Sequence, residues 1–241
     1  LAFSGNENLA MGPCVANSNQ VINFINNRLI AYHLNKGCYL GHAAAVSHKG
    51  KGLAMAGFSG MGKSTLALFL MNEGCTFLSN DRVMISQDTP PTMFGVPKHP
   101  RINPGTAINN KALRGIITAQ DYEYFTSLPL DELWSLEHKY DAIINQCYGP
   151  YRFVLRAPFS GLVVLNWQRD GGKTLVKEVN PFERLDLVEA FSKETGLFYV
   201  PDEAEQYNPP SLQDYAQRLA QVPLIEISGG VDFVKAAQAC L

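Results

Sequence analysis

Apolar residues recur at helical spacing at Val21, Ile22, Phe24, Ile25, Leu29 and Tyr32, with Asn17 and Ser18 ahead of them as cap candidates and Lys36-Gly37 behind. The spacing predicts an amphipathic helix. Residues 1–17 are small and polar, include Gly5, Gly12 and Pro13, and hold no sustained period, so a loosely attached segment is expected there. Tyr39 to Ser47 and Leu53 to Ala56 read as two strands joined by a turn at Lys49-Gly50-Lys51-Gly52. Ser64 to Asn72 is apolar all round and stops at Gly74, which predicts a helix buried on every side. Cys75 to Ser79 and Val83 to Ile85 are short strand candidates, and Asn80-Asp81-Arg82 between them puts an acidic residue at a strand end or bulge.

From Gln87 to Gly105 the chain carries Pro90, Pro91, Pro97, Pro100 and Pro104, which argues against a central strand and for an extended loop. Pro129 to Lys139 reads as a helix. Phe153 to Leu155, Gly161 to Trp167 and Thr174 to Val179 read as a β-meander that turns at Asp170-Gly171-Gly172. Asn180, Pro181 and Glu183 form a capping-box pattern before Leu185, Leu187, Val188 and Phe191, so a helix is expected to start at Pro181. Ser211 to Gln221 reads as a further helix, Leu224 to Ile227 as a strand, and Val231 to Leu241 as a closing helix after Gly229-Gly230. The alternation of strands and helices places the chain in the α/β class.

A length of 241 residues with 46% apolar content is enough for one full core, so one domain over 1–241 is expected. The chain begins at Leu1 rather than Met, so the expectation allows for an N-terminal part outside the numbered sequence. A formal charge of -2 lacks the excess of cations that nucleic-acid binders use to neutralise phosphates, and no nucleic-acid partner is expected. Cys14, Cys38, Cys75, Cys147 and Cys240 are scattered, without a C-x-x-C pair or histidine neighbours, and read as thiols of a reducing compartment. No apolar run approaches the roughly 18 residues that cross a bilayer, so no membrane partner and a cytoplasmic location are expected.

Gly57-Phe58-Ser59-Gly60-Met61-Gly62-Lys63-Ser64 fits G-x-x-x-x-G-K-[ST]. In that pattern the glycines let successive backbone N–H groups converge on phosphate oxygens without side-chain clash. Lys63 brings a positive charge to the β- and γ-phosphates, Ser64 offers a hydroxyl to Mg²⁺, and a helix that starts there turns its positive end to the anion. Met61 and Thr65 belong to the same binding segment. By chance such an octet arises in on the order of one in a hundred chains of this length, and the strand before it and helix after it reduce that further. ATP phosphates are therefore expected on Gly57, Ser59, Gly60, Met61, Gly62, Lys63, Ser64 and Thr65.

The common phosphate-loop proteins place their magnesium-binding Asp dozens of residues beyond the loop. Here Asn80 and Asp81 follow Lys63 by only 17 and 18 positions. His42 stands 15 residues before Gly57, a short helix ends at Gly74, and Asn80-Asp81-Arg82-Val83 follows. With the stretch Leu40-Gly41-His42-Ala43-Ala44-Ala45-Val46, these landmarks resemble the HPr kinase/phosphorylase group, most of all its HPr-kinase-related kinases of unknown substrate. The resemblance covers residues 38 to 86; Arg101 to Gly105 and Gly161 to Trp167 match loosely.

The resemblance implies a phosphate-loop kinase core of the HPr kinase and phosphoenolpyruvate carboxykinase type, with a mixed sheet and flanking helices. It also implies ATP-dependent phosphorylation of a hydroxyl on a protein or small-molecule acceptor, with ADP as product. In that family an acidic pair handles the proton and helps hold Mg²⁺. Asn80 stands at the first position of the pair and cannot take a proton at neutral pH, so Asp81 is either the base or the metal ligand with no base left. His42 is a candidate to donate a hydrogen bond to the transferring group, with a histidine satisfied inside a sheet as the plainer alternative. Arg82 and Arg101 are substrate candidates as bidentate phosphate donors; Lys98 and Arg152 rank behind them. His99 stands where the family has Glu, so phosphorylase activity is not expected. The resemblance further leaves room for a homo-oligomer, HPr kinases being hexameric.

The alternative function is a nucleotide-binding regulatory module weakened by Asn80, and a third is a phosphatase or hydrolase that holds a phosphate product on the loop. Asp131, Glu132, Glu137 and Asp141 fit the solvated face of a helix better than an acidic site. Trp167, Tyr148, Tyr151 and Phe153 could stack on adenine, but strands need aromatic core residues in any case.

Overall fold

A computed structural model describes residues 1–4, 7–196, 199–201 and 208–241. The chain opens with β1 (Ala2–Ser4), β2 (Glu7–Leu9), α1 (Ser18–Leu34), β3 (Tyr39–Gly41), β4 (Ala44–His48), β5 (Lys51–Gly57) and α2 (Lys63–Asn72). There follow β6 (Thr76–Ser79), β7 (Val83–Ile85), β8 (Thr92–Gly95), β9 (Arg101–Ile102), α3 (Pro104–Ile108) and a 3-10 turn at Lys111–Ile116. Next come α4 (Ala119–Ser127), α5 (Leu130–Ser135), β10 (Tyr140–Asp141), α6 (Ile144–Tyr148) and β11 (Arg156–Gln168). The chain closes with β12 (Leu175–Glu178), α7 (Leu185–Phe191), α8 (Leu212–Leu219), β13 (Leu224–Gly230) and α9 (Phe233–Cys240).

The strands at the centre are apolar on both faces, which requires cover on both sides. Along β5, Ala54 and Ala56 face one core and Met55 the other; along β11, Leu162 and Val164 alternate with Val163 and Leu165. Helices α2 and α9 cover one face through Leu66, Leu70 and Ala236, while α7 and α8 cover the other through Val188, Phe191 and Leu219. Between them the sheet runs β12-β13-β11-β5-β4-β6. Strands β13, β11 and β5 are parallel, and β12 and β4 are antiparallel to their neighbours, so the sheet is mixed. A second, antiparallel run, β3-β7-β8, joins at the start of β11, where Arg156 to Pro158 pair with Phe94 to Thr92. At 13 residues β11 is long enough to serve both runs. The fold is thus a mixed α/β arrangement with flanking helices. No helix among the described residues is long and apolar enough to cross a membrane.

Several expectations give way. The start of the chain holds a two-stranded ribbon, and Phe3 sits beneath the Arg28 guanidinium of α1 at 4.2 Å, so it is docked rather than loose. The proline-rich stretch contains β8, because its prolines fall on either side of Thr92–Gly95 and leave those backbone N–H groups intact for pairing. The meander does not form: β13 lies parallel against β11, and β12 pairs with β13 instead. Phe153 makes only an isolated bridge to Phe77. Asn180 caps a turn rather than a helix, accepting from Phe182 N at 3.0 Å, and α7 starts four residues late because Arg184 has φ -127° and ψ 58°. Helix α5 covers only part of the predicted Pro129 to Lys139.

Candidate active site

The loop from β5 to α2 is built around a helix start. Gly62 is the N-cap with φ of +85°, a conformation that costs other residues strain, and a Cβ there would lie 2.7 Å from the Phe233 ring. Trp167, 2% exposed, donates from Nε1 to Met61 O at 3.0 Å and packs edge-on against Phe233. The Lys63 ammonium donates to Gly57 O at 2.6 Å and Phe58 O at 3.3 Å, folded over its own loop. Burial pushes its pKa down by more than neighbouring Asp81 pulls it up, and Arg82 adds to the lowering. Such a desolvated ammonium gains most from a polyanion. Ser64 follows in the first turn, and Thr65 Oγ1 bonds Thr106 Oγ1 at 2.8 Å, which ties α2 to α3.

A second group of residues is placed by two chain crossings. The predicted strand Tyr39 to Ser47 is divided: β3 pairs with β7 in the antiparallel run, and β4 pairs with β6 in the main sheet. His42 and Asn80-Asp81-Arg82 are the neighbouring links that carry the chain between the two. His42 N donates to Phe191 O at 2.6 Å, and Ser79 Oγ accepts from Val96 N at 3.1 Å, so both links are anchored. His42 Nε2 lies 3.2 Å from Asp81 Oδ1, and Arg82 Nη1 donates to Asp81 Oδ2 at 2.6 Å. Burial raises the Asp81 pKa, but the hydrogen bond from His42 and the pull of Arg82, His42 and Lys63 outweigh it and hold the carboxyl below its ordinary value. An anion stabilised in this way suits charge neutralisation and metal ligation more than proton abstraction.

His42, Ser59, Gly60, Gly62 to Thr65 and Asn80 to Arg82 all line one cleft of about 660 Å³. Arg101, on β9, reaches the same cleft while pairing with Asp141 at 3.5 Å. Gly57 lies behind the loop and Met61 turns into the core beside α9. Arg152 is elsewhere: it donates to Met71 O and Cys75 O at the end of α2, where helix carbonyls call for a cation. None of the aromatic candidates faces the cleft. Trp167 braces the loop, Tyr148 donates to Leu68 O, Phe153 packs on Phe77, and Tyr151 points to solvent. Asp131 pairs with Arg169, in keeping with a solvated surface. A larger cavity of about 1130 Å³, beside Tyr39 and Tyr215, contains none of the predicted site residues.

The sequence reading missed the opposite wall of the cleft, which α1 supplies through Gln20, Asn23, Asn26 and Asn27. Its only signal was that these four amides fall within eight residues of one helix. Asn103, Thr106 and Lys139 also line the cleft, as does the candidate Lys98. The donors present fit Mg²⁺: Ser64 and Asp81 offer hard oxygens beside the loop, and this ion takes few protein ligands when phosphates complete its shell. Among the described residues no group of three or more His, Cys, Asp or Glu could form an all-protein metal site.

No protein-family model matches the chain, and no curated protein matches it either. Among solved structures it is similar to the HPr(Ser) kinase/phosphatase from Coxiella burnetii, with a TM-score of 0.42 and 9% identity over 83% of this chain and 87% of that one. A likeness at that level carries no weight for function, which rests on the site itself.

Proposed function

We propose that the chain is an ATP-dependent phosphotransferase, similar to HPr serine kinase, that moves the γ-phosphate of ATP to a hydroxyl of a protein or small-molecule acceptor. One observation carries this proposal. The loop with its half-buried Lys63 and the linked group His42, Asp81 and Arg82 line the same cleft. The backbone amides of Gly60, Gly62 and Lys63 hold the polyphosphate, and the Lys63 ammonium leaves the Gly57 and Phe58 carbonyls for phosphate oxygens. Bound Mg²⁺, with Ser64 and Asp81 as its protein ligands, supplies neutralisation of phosphate charge. His42 orients Asp81, and Arg82 and Arg101 draw the transferring group and the acceptor toward the loop. Because the transition state is loose, placement and charge carry most of the catalysis, and a strong general base is not required.

The observation that favours a catalytically weakened regulatory module is the amide Asn80 next to an Asp81 already engaged by His42 and Arg82. Labelled ATP with Mg²⁺ and native lysate fractions separates the two. Label transferred by the wild type and lost by about 100-fold or more in Asp81→Asn supports the kinase. ATP retention without transfer to any fraction supports the regulatory module.

A further inference from the structure

The wall opposite the phosphate loop has a chemistry of its own. The side chain of Asn26, only 8% exposed, lines the cleft, and its amide is not among the buried polar groups that lack a partner, so it opens to the cleft. A carboxamide turned to a cleft offers a donor and an acceptor to whatever binds there. Helix α1 also gives up apolar burial to place it. Ile22, Ile25 and Tyr32 of the predicted apolar stripe are 43%, 59% and 55% exposed, while the amide is turned inward. Departures from local patterning of this kind are expected where a site takes precedence over the fold.

Charge narrows the ligand class. Lys63, Arg82, Lys98, Arg101 and Lys139 line the cleft against the single carboxylate of Asp81, in a chain whose net charge is -2. Lys63 belongs to the nucleotide phosphates and Arg82 to Asp81; Lys98, Lys139 and Arg101, the last shared with Asp141, remain for a second anion. Amides beside those cations add what an anion alone does not use. Each carboxamide presents a donor and an acceptor together, the complement of a hydroxyl group. Asn103 and Asn80, which also line the cleft, each hold a buried side-chain oxygen with no partner, so both retain acceptor capacity. Lys98 Nζ donates to Asn23 Oδ1 at 2.9 Å and so ties α1 to the segment after β8.

Resting on the kinase proposal, we infer that the acceptor is a small anionic polyol, a phosphorylated or carboxylated molecule with several hydroxyls, held between the α1 amides and Lys98, Arg101 and Lys139. One of its hydroxyl oxygens forms a bond to the γ-phosphorus as the bond from that phosphorus to the β,γ-bridging oxygen breaks. The bridging oxygen keeps the electron pair in ADP, and the hydroxyl proton is released to water.

The test is calorimetric titration of the full chain, saturated with Mg²⁺ and a non-hydrolysable ATP analogue, with ribose 5-phosphate, 3-phosphoglycerate and gluconate. Glucose and inorganic phosphate serve as controls. At least one anionic polyol is expected to bind about tenfold tighter than either control. Asn26→Leu, and separately Lys98→Ala at the surface, should each weaken it by roughly fivefold or more, with the analogue's own affinity within about twofold of wild type. The inference is overturned if none of the three binds below roughly 10 mM, if both variants bind as the wild type does, or if a serine peptide is phosphorylated without competition from the polyols. Failure of the analogue itself to bind overturns the kinase proposal, and it is read in the first titration before any polyol is added.

Discussion

Lys63 is the residue on which most of the chemistry converges. Its ammonium is desolvated and satisfied by loop carbonyls in the free chain, so binding exchanges two neutral acceptors for phosphate oxygens. Charge-assisted hydrogen bonds of this type contribute about 1.5–3 kcal/mol, and Lys63→Ala should weaken ATP affinity by about 10- to 150-fold. Equilibrium dialysis checks this, and an unchanged affinity would take the nucleotide off the loop. At this scale the sequence was informative wherever chemistry depends on local order. The octet Gly57 to Ser64 needs only a strand before it and a helix after it, both visible as apolar runs. Asp81 was legible by spacing, but its engagement with His42 was not, since no local signal says that residues 42 and 81 meet where two strands change sheets. The role of Trp167 was equally hidden, because a buried indole that donates to a loop carbonyl looks in sequence like any aromatic strand residue.

Among the elements, those with autonomous signals came through and those decided by tertiary partners did not. Helix α8 is capped by Ser211, where the predicted helix starts, with a reciprocal capping box to Asp214. Strand β8 was obscured by flanking prolines, and the β11–β13 pairing joins strands too distant in sequence for turn chemistry to reveal. The false capping box at Asn180 has a physical explanation in Arg184. That side chain turns to Glu226 on β13, with Nη2 to Oε1 at 2.9 Å, and to Asp186 at 2.8 Å, and so fastens α7 to the sheet. Hydrogen bonds from Arg184 lower the pKa values of both carboxyls against their desolvation. A depressed folded-state pKa contributes stability above the unfolded value and loses it as pH falls through the folded one. Thermal unfolding midpoints should therefore drop as pH is lowered from about 5 to 3. Glu226→Gln, which breaks a half-buried pair, should cost about 2 kcal/mol at neutral pH and show a shallower acid drop. Parallel acid profiles for the variant and wild type would remove this pair from the account.

Across the whole molecule, the mixed sheet has two jobs that its sequence kept separate. Its parallel centre, β13, β11 and β5, aims the phosphate loop from one strand end, as open α/β sheets do at the carboxyl ends of their strands. Its junction with β3-β7-β8 carries His42 and Asp81 to the same place, and α1 with the segment after β8 closes the far side. The central claim is that this convergence holds a nucleoside triphosphate. Calorimetry of the folded chain with Mg²⁺ measures it most directly: ATP should bind with a Kd below about 1 mM, which corresponds to roughly 4 kcal/mol or more. Retention of neither ATP nor GTP at millimolar concentration by folded protein would contradict it.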